Sequence, residues 1–163
     1  GDARITIRFD PAQCAVSVYG PDEYSMSIKK RLDEIVGDTN LQLSKDNFST
    51  MSDDGEYLVR KYGALPHHNS VIQFMLLSYI EGASPIDPTD QRWSVYELWD
   101  KHSNRFLAYC SVYRFFRFPE GTRARISQFW VAPDVQRRGH GLRLYTAVMR
   151  DLCTDPAVVD VTV

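Results

Sequence analysis

Two glycines near the C-terminal end stand where a strand pattern gives way to a helix pattern. Arg125–Val131 alternates as a strand, the turn Gln136-Arg137-Arg138-Gly139-His140-Gly141 follows, and residues 142–152 repeat at helical spacing. A helix N-terminus presents unpaired backbone N–H groups and a partial positive charge. Glycines let the backbone turn tightly and let a bulky anion come close. The turn therefore predicts a phosphate-binding site, and a plain strand-to-helix loop with surface arginines is the alternative.

Two nucleotide-binding motifs do not fit this turn. A dinucleotide fingerprint needs a third Gly or Ala at the position that Leu144 occupies. The phosphate loop of NTPases needs Gly-Lys-Ser/Thr, whereas Leu142 follows Gly141. The strands before the turn are also predicted to be antiparallel, which suits neither motif.

Hydrophobic periodicity predicts a mixed α/β chain. The turns DKHSN and FPEGTR are short, so the strands that they join form an antiparallel meander. Strands are expected at 3–9, 14–19, 56–62, 93–99, 105–116, 125–131 and 158–163, and residues 38–55 are expected to be loop. Helices are expected from Asp22 to Gly37, from Asn69 to Gly82, and after the glycine turn, with the second apolar nearly all round and therefore buried.

The bulk composition excludes several classes of protein. A net charge of −2 provides no gross basic face for nucleic acid. No apolar run reaches the roughly 18 residues that a membrane helix needs. The three cysteines are widely separated and the histidines lack metal-ligand spacing, so neither a disulfide framework nor a metal site is expected.

The turn after the meander resembles the acetyl-CoA signature of the GNAT superfamily, Q/R-x-x-G-x-G/A, through Gln136, Gly139 and Gly141. The resemblance implies the acyl-CoA N-acyltransferase fold, with acetyl-CoA as cosubstrate and no metal. It also implies that the last strand runs parallel to its predecessor, with a splayed gap for pantetheine. The cofactor-binding residues would be Phe129, Trp130, Val131, Gln136, Arg137, Arg138, Gly139, His140 and Gly141.

Longer stretches resemble the type B histone acetyltransferases, the Hat1 family. The matching pieces are FMLLSYIEGASPIDPTDQRW, RARISQFWVAPDVQRRGHGLRLY and VVDVTV, with weaker echoes in KYGALPH and YGPDE. The resemblance divides the chain into a small N-terminal α+β segment, 1–67, and an acetyltransferase core, 68–163, that is expected to be truncated at its C-terminal end.

That family acetylates lysines in the N-terminal tail of histone H4. A lysine amine, with a pKa of about 10.4, must lose a proton before it attacks, so a carboxylate is expected as general base. By resemblance Glu81 is one candidate, expected to be half buried; as a lone residue it is equally well explained as a paired structural carboxylate. The family's leading candidate, a Glu-Asp pair, would follow Val163, the last residue of the sequence.

The resemblance also assigns residues to the histone tail. They are Trp93, Tyr113, Arg114, Phe115, Asp22 and Glu23. Each has a plainer explanation: Trp93 as a core anchor, the residues around Tyr113 as ordinary strand alternation, and Asp22 as an exposed helix cap.

The resemblance implies direct transfer through a ternary complex, and no cysteine lies in the turn to form an acyl-enzyme. It further implies a WD-repeat histone-chaperone subunit as partner, and residence in nucleus and cytoplasm. Two other functions remain open: an acetyltransferase of small-molecule amines, and a truncated module that binds acetyl-CoA or a histone tail without turnover.

Overall fold

The computed structural model describes residues 6–10, 15–21, 26–27, 30, 48–63 and 69–163. The chain divides into two compact units, one made of Gly1–Asp46 and Pro66–Pro85, the other of Asn47–Leu65 and Ile86–Val163. The division differs from the predicted boundary after residue 67, because residues 47–65 belong with the larger C-terminal unit.

The larger unit contains a six-stranded sheet whose strands pair with their neighbours in chain order. The strands are β3 (Ser49–Asp53), β4 (Tyr57–Tyr62), β5 (Trp93–Asp100), β6 (Arg105–Phe116), β7 (Thr122–Val131) and β8 (Val158–Thr162). All neighbouring strands are antiparallel except β7 and β8, which are parallel, as predicted.

Helix α2 (His140–Thr154) follows β7 and a single 3-10 turn, Pro133–Val135. Its apolar stripe of Leu144, Val148 and Leu152 is fully buried. Asp151 accepts hydrogen bonds from the Lys61 amine at 2.6 Å and from the Tyr96 hydroxyl at 2.5 Å, which ties the helix to β4 and β5. Burial and the Asp151 carboxylate raise the pKa of Tyr96 well above its ordinary value, so the phenol remains a donor.

The smaller unit contains an antiparallel pair, β1 (Thr6–Asp10) and β2 (Ala15–Tyr19), and helix α1 (Asn69–Tyr79). The expectation that α1 is buried all round is wrong. Ile72, Met75 and Leu76 are buried, but Leu77 is 39% and Tyr79 58% exposed. Of the helix predicted from Asp22, only residues 26, 27 and 30 are described, and they are helical.

One strand was not predicted. β3 reads STMSD, has Met51 as its one apolar residue and lies within the segment 38–55 that the sequence marks as loop. Aspartates follow it: the Asp53 carboxylate accepts the Gly55 N–H at 3.0 Å, and that of Asp54 accepts the Tyr57 N–H at 2.8 Å. This tight turn pairs β3 with β4, so β3 is held by the turn and by its neighbour rather than by an apolar face.

Candidate functional site

The second half of β7 has an open edge. β8 pairs only with Thr122–Arg125, so no described strand pairs with residues 126–131 on that side. The Ala132 N–H donates to the Leu107 carbonyl of β6 at 2.9 Å. Because backbone groups alternate sides along a strand, those of Trp130 also face β6, whereas those of Phe129 and Val131 face the open edge. The strand therefore offers amide and carbonyl groups where an extended ligand could pair.

A β-bulge lies at the start of this open edge. Ser111 pairs with Gln128 and Val112 with Ile126, so Ser127 is the extra residue of β7. Ile126 and Phe129 consequently lie on one face of the sheet, because their partners on β6, Val112 and Cys110, share a face. Bulges re-aim a strand and often lie next to active sites. Here the bulge falls where β8 stops pairing with β7.

The glycine turn lies at the end of the open edge and begins α2. Gly139 is the N-cap in a left-handed conformation with φ 85°, and Arg137 also has a positive φ of 63°. The Arg143 N–H donates to the Gly139 carbonyl at 3.0 Å, so the amides of residues 140–142 precede the first hydrogen bond of the helix. Exposed Arg137 and Arg138 flank them. The turn therefore places backbone amides without helical acceptors next to two permanently charged guanidinium groups.

The two glycines have different roles. A Cβ on Gly139 would meet open space, so only the φ of this residue requires glycine there. Gly141 has an ordinary helical φ, but a Cβ on it would lie 3.4 Å from Val131 Cγ2 and 3.7 Å from Phe129 Cε1. Gly141 therefore lets the first turn of α2 lie against the end of β7, with room for little more than alanine.

The side chain of Gln136 serves the loop itself. Its Nε2 donates to the Val131 carbonyl at 3.0 Å, across the 3-10 turn. That carbonyl belongs to the open edge of β7, so Gln136 fixes where the open edge ends. The structure therefore gives Gln136 a contact with β7, while its predicted contact with the coenzyme stays a prediction.

His140 anchors the N-terminus of α2 through its side chain. It is buried, and its ring meets that of Tyr57 edge-on at 5.2 Å. Burial and the neighbouring Arg143 and Arg138 lower the pKa of His140, which keeps the imidazole neutral. Arg143 lies 4.4 Å over the Tyr57 ring and forms an ion pair with Asp54. The β3–β4 turn thus holds the glycine turn in place.

Three of the predicted tail-binding residues form an aromatic row on one face of the sheet. Trp93 meets Tyr113 edge-on at 4.7 Å, and Tyr113 meets Phe115 at 4.6 Å. The Tyr113 hydroxyl donates to Asp90 at 3.1 Å, and Arg92 lies 4.9 Å over the Tyr113 ring. Hydrogen bonds from the side chain and the backbone N–H of Arg92 lower the pKa of Asp90 to about 2, so the carboxylate stays ionised.

Arg114 does not join the aromatic row. Strand alternation turns it to the opposite face, where it forms an ion pair at 3.1 Å with Asp155 beyond the end of α2. Consecutive strand residues cannot share a face, so the predicted contact of Arg114 with the tail would be made from the side opposite Tyr113 and Phe115, and it stays a prediction.

The predicted acidic residues are placed differently. Glu81 lies in the turn after α1 and is exposed, so the expectation of half burial is wrong; the helix ends at Tyr79, two residues before it. Glu81 belongs to the smaller unit and keeps its candidate role only as a prediction. Asp22 and Glu23 lie outside the described residues.

Sequence reasoning missed a buried polar cluster in the sheet. Glu97 is fully buried on β5, and its Oε2 accepts the Trp99 indole N–H at 2.9 Å. Its cross-strand partner on β4 is Arg60, whose guanidinium lies 5.1 Å over the Trp99 ring. Burial and Glu97 raise the pKa of Tyr62 well above its ordinary value. A glutamate between apolar residues in YELW was the available signal, because buried carboxylates are rarely left without partners.

The described part of the chain offers few other features of functional sites, such as metal ligands, membrane helices or reactive cysteines. It contains no group of three or more His, Cys, Asp and Glu side chains that could hold a metal ion. No helix there is long and apolar enough to cross a membrane. Cys110 is buried, which raises the pKa of its thiol, and Cys153 is exposed on α2, outside the glycine turn.

An antiparallel meander, a bulged strand with an open edge, a glycine turn at a helix N-terminus and a parallel strand together make up the acyl-CoA N-acyltransferase fold. The model of the acetyltransferase (GNAT) family matches residues 69–156, and the chain belongs to this family.

Within this family, the chain is similar to curated catalytic subunits of type B histone acetyltransferases. The chain is 39% identical over 98 residues to the histone acetyltransferase type B catalytic subunit of Schizosaccharomyces pombe, a match that covers 56% of this chain and 26% of that protein. It is 33% identical over 97 residues to the subunit of the same name in Mus musculus, covering 56% and 23%. The chain thus spans about a quarter of the length of the curated relatives that it matches.

Solved structures with similar folds have little sequence in common with this chain. The xEco2 acetyltransferase domain superposes with a TM-score of 0.51 at 12% identity, over 73% of this chain and 84% of that one. An aminoglycoside acetyltransferase from an uncultured soil metagenomic sample, solved with sisomicin, superposes with a TM-score of 0.50 at 17% identity, over 68% and 78%. These likenesses establish the GNAT fold.

Proposed function

We propose that this chain is the catalytic part of an acetyl-CoA-dependent lysine N-acetyltransferase that acts on the N-terminal tail of histone H4. The observation that carries the proposal is the open edge of β7, which begins at the Ser127 bulge and ends at the amides of the glycine turn. The similarity to type B catalytic subunits supports the choice of a histone substrate.

The residues present fit coenzyme A. Amides of residues 140–142, with Arg137 and Arg138, would hold the diphosphate, because a helix N-terminus and permanent cations both favour anions. The backbone groups of Phe129 and Val131 would pair with the extended pantetheine arm. When bound, acetyl-CoA supplies an activated acyl group. The Phe129 N–H, which lies closest to the bulge on that edge, would donate to the carbonyl oxygen as negative charge develops on it.

A cationic tail fits the aromatic row of Trp93, Tyr113 and Phe115. Aromatic faces attract cations, and Arg92 already makes such a contact with Tyr113. The row lies on the face of the sheet opposite α2, since Arg114 faces α2 from the position between Tyr113 and Phe115. Coenzyme and peptide could therefore approach β7 from different directions.

This arrangement supports direct transfer in a ternary complex. Cys110 is buried and its raised thiol pKa disfavours the thiolate, so it is a poor acyl acceptor. Glu81 remains one candidate for the general base, by family resemblance alone. A WD-repeat partner subunit, and residence in nucleus and cytoplasm, are further parts of the proposal that rest on the family resemblance alone.

The direct test is to incubate the chain with acetyl-CoA and an H4 tail peptide, and to measure the free thiol released. Parallel reactions contain spermidine, or the same peptide with its lysines replaced by arginine. We expect thiol release with the lysine peptide only. Faster release with spermidine would assign a small-molecule acetyltransferase, and coenzyme binding without release with any acceptor would assign a binding module.

A second measurement tests whether the acetyl group is transferred directly to the peptide or first to the protein. The chain is incubated with acetyl-CoA alone and analysed by intact-mass spectrometry. Direct transfer predicts no acetyl adduct on the protein, whereas an adduct that disappears when peptide is added would contradict it.

A further inference from the structure

A groove runs from the glycine turn along the outer side of α2. It lies between the helix and β3, has a volume of about 340 Å³, and is lined by Ser52, Arg138, Gly139, Leu142, Arg143, Thr146, Ala147 and Arg150. The helical residues recur at the spacing of one face, so the groove follows α2 for about three turns.

The charge of the groove is positive. Three of its residues are arginines, and only Arg143 forms an ion pair, with Asp54. Arg138 and Arg150 have no ion pair among the residues that the structure describes. Asp151, which follows Arg150, faces the sheet and is bound to Lys61 and Tyr96, so it does not neutralise the groove.

The groove also has an apolar component. Leu142 is 71% exposed at its wall, and Ala147 is buried at its base. An exposed leucine among arginines suits a ligand that carries both acidic and apolar groups. Nucleic acid would need a broad basic field, and the chain has a net charge of −2.

We propose that this groove binds an acidic segment of a partner protein, with a carboxylate on Arg150 and one apolar side chain on Leu142. The length of α2 from Leu142 to Arg150, at about 1.5 Å per residue, matches roughly four residues of extended peptide. The docking surface is this part of the groove, beyond the glycine turn that is proposed to hold the diphosphate.

The test measures binding of a fluorescein-labelled, glutamate-rich peptide with one central leucine, by fluorescence anisotropy and without coenzyme. We expect Arg150→Glu to weaken binding by about tenfold, since it replaces an attraction with a repulsion. Leu142→Ser should weaken it by about threefold through lost apolar contact. Arg125→Glu is the matched control, because Arg125 is also exposed but lies on β7, outside the groove, and should leave the affinity unchanged. Thermal denaturation verifies that each variant is folded.

Several outcomes would overturn the proposal. One is that Arg150→Glu binds the peptide as tightly as the wild type does. The same holds if the control Arg125→Glu weakens binding as much as Arg150→Glu does. Another is tighter binding of an oligothymidylate that also depends on Arg150. A third is loss of coenzyme A affinity in Arg150→Glu with no peptide binding at all, which would make the groove part of the coenzyme site. Failure of the chain to acetylate any acceptor would leave peptide binding intact, so the two proposals fail separately.

Discussion

Gln136 Nε2 donates a hydrogen bond to the Val131 carbonyl at 3.0 Å, and this bond joins the two ends of the loop between β7 and α2. The carbonyl faces the open edge of β7, so without Gln136 it would be available to solvent or ligand. The bond therefore couples the conformation of the glycine turn to the end of the strand on which the coenzyme is proposed to lie.

Replacing Gln136 should loosen the turn without unfolding the chain. Gln136→Ala removes one exposed hydrogen bond, a loss of about 1 kcal/mol, and should weaken coenzyme A binding several-fold with a small change in Tm. Gln136→Glu should weaken it further, because a carboxylate would face both the Val131 carbonyl and the bound diphosphate. Isothermal titration calorimetry measures both affinities, and an unchanged affinity in Gln136→Glu would contradict this role.

The glycines of the turn should respond differently to alanine. Gly139→Ala places a side chain at φ 85° and should cost about 1 kcal/mol of stability, and it should also displace the amides that bind the diphosphate. Gly141→Ala has a helical φ, and its tight contact with Val131 should be offset by the higher helix propensity of alanine. Urea denaturation and coenzyme titration of both variants test this contrast. Equal losses of stability and of coenzyme affinity in the two variants would show that steric contact of the added Cβ, and not backbone conformation, determines the effect.

The elements with a clear hydrophobic period were predictable, and those held by local geometry were not. The existence of the meander and of α2 follows from alternation and helical spacing. The buried face of α2 does not, because Leu142 and Tyr145, apolar at that spacing, are 71% and 40% exposed and Leu144 is buried instead. β3 has no apolar face, so its pairing depends on the Asp53–Gly55 turn, which periodicity does not report. The bulge at Ser127 left a signal that was not used: the alternation of apolar and polar residues breaks at the adjacent polar residues Ser127 and Gln128.

The consecutive residues Tyr113 and Arg114 should have separable functions. Tyr113→Ala removes the centre of the aromatic row and should raise KM for the H4 peptide by about tenfold, with little effect on stability. Arg114→Ala removes the partly exposed ion pair with Asp155 and should cost at most about 1 kcal/mol of stability while leaving KM unchanged. Steady-state kinetics and urea denaturation separate the two effects. A rise in KM in the Arg114 variant alone would reverse the assignment.

His140 should make the stability of the chain depend on pH. Its pKa is lowered in the folded state by burial and by the charges of Arg143 and Arg138, so the unfolded chain binds the proton more readily. The free energy of unfolding should therefore fall as pH drops through the unfolded pKa of about 6.5 towards the folded pKa. His140→Asn removes the titrating group and should flatten Tm between about pH 8 and pH 5. If the Tm of His140→Asn fell with pH as steeply as that of the wild type, the pH dependence of stability would belong to other titrating groups.

Glu97 should stabilise the sheet only as a member of its cluster. Glu97→Leu removes the acceptor of the Trp99 indole and leaves Arg60 without its cross-strand carboxylate, which should cost about 3 kcal/mol. Glu97→Gln keeps an acceptor for Trp99 and should cost about 1 kcal/mol. If the cluster acts as a unit, adding Arg60→Leu to Glu97→Leu should recover part of the loss, because the unpaired guanidinium is then removed as well. Urea denaturation of the double-mutant cycle measures this coupling. Additive losses would mean that Glu97 and Arg60 act independently, with the glutamate serving Trp99 alone.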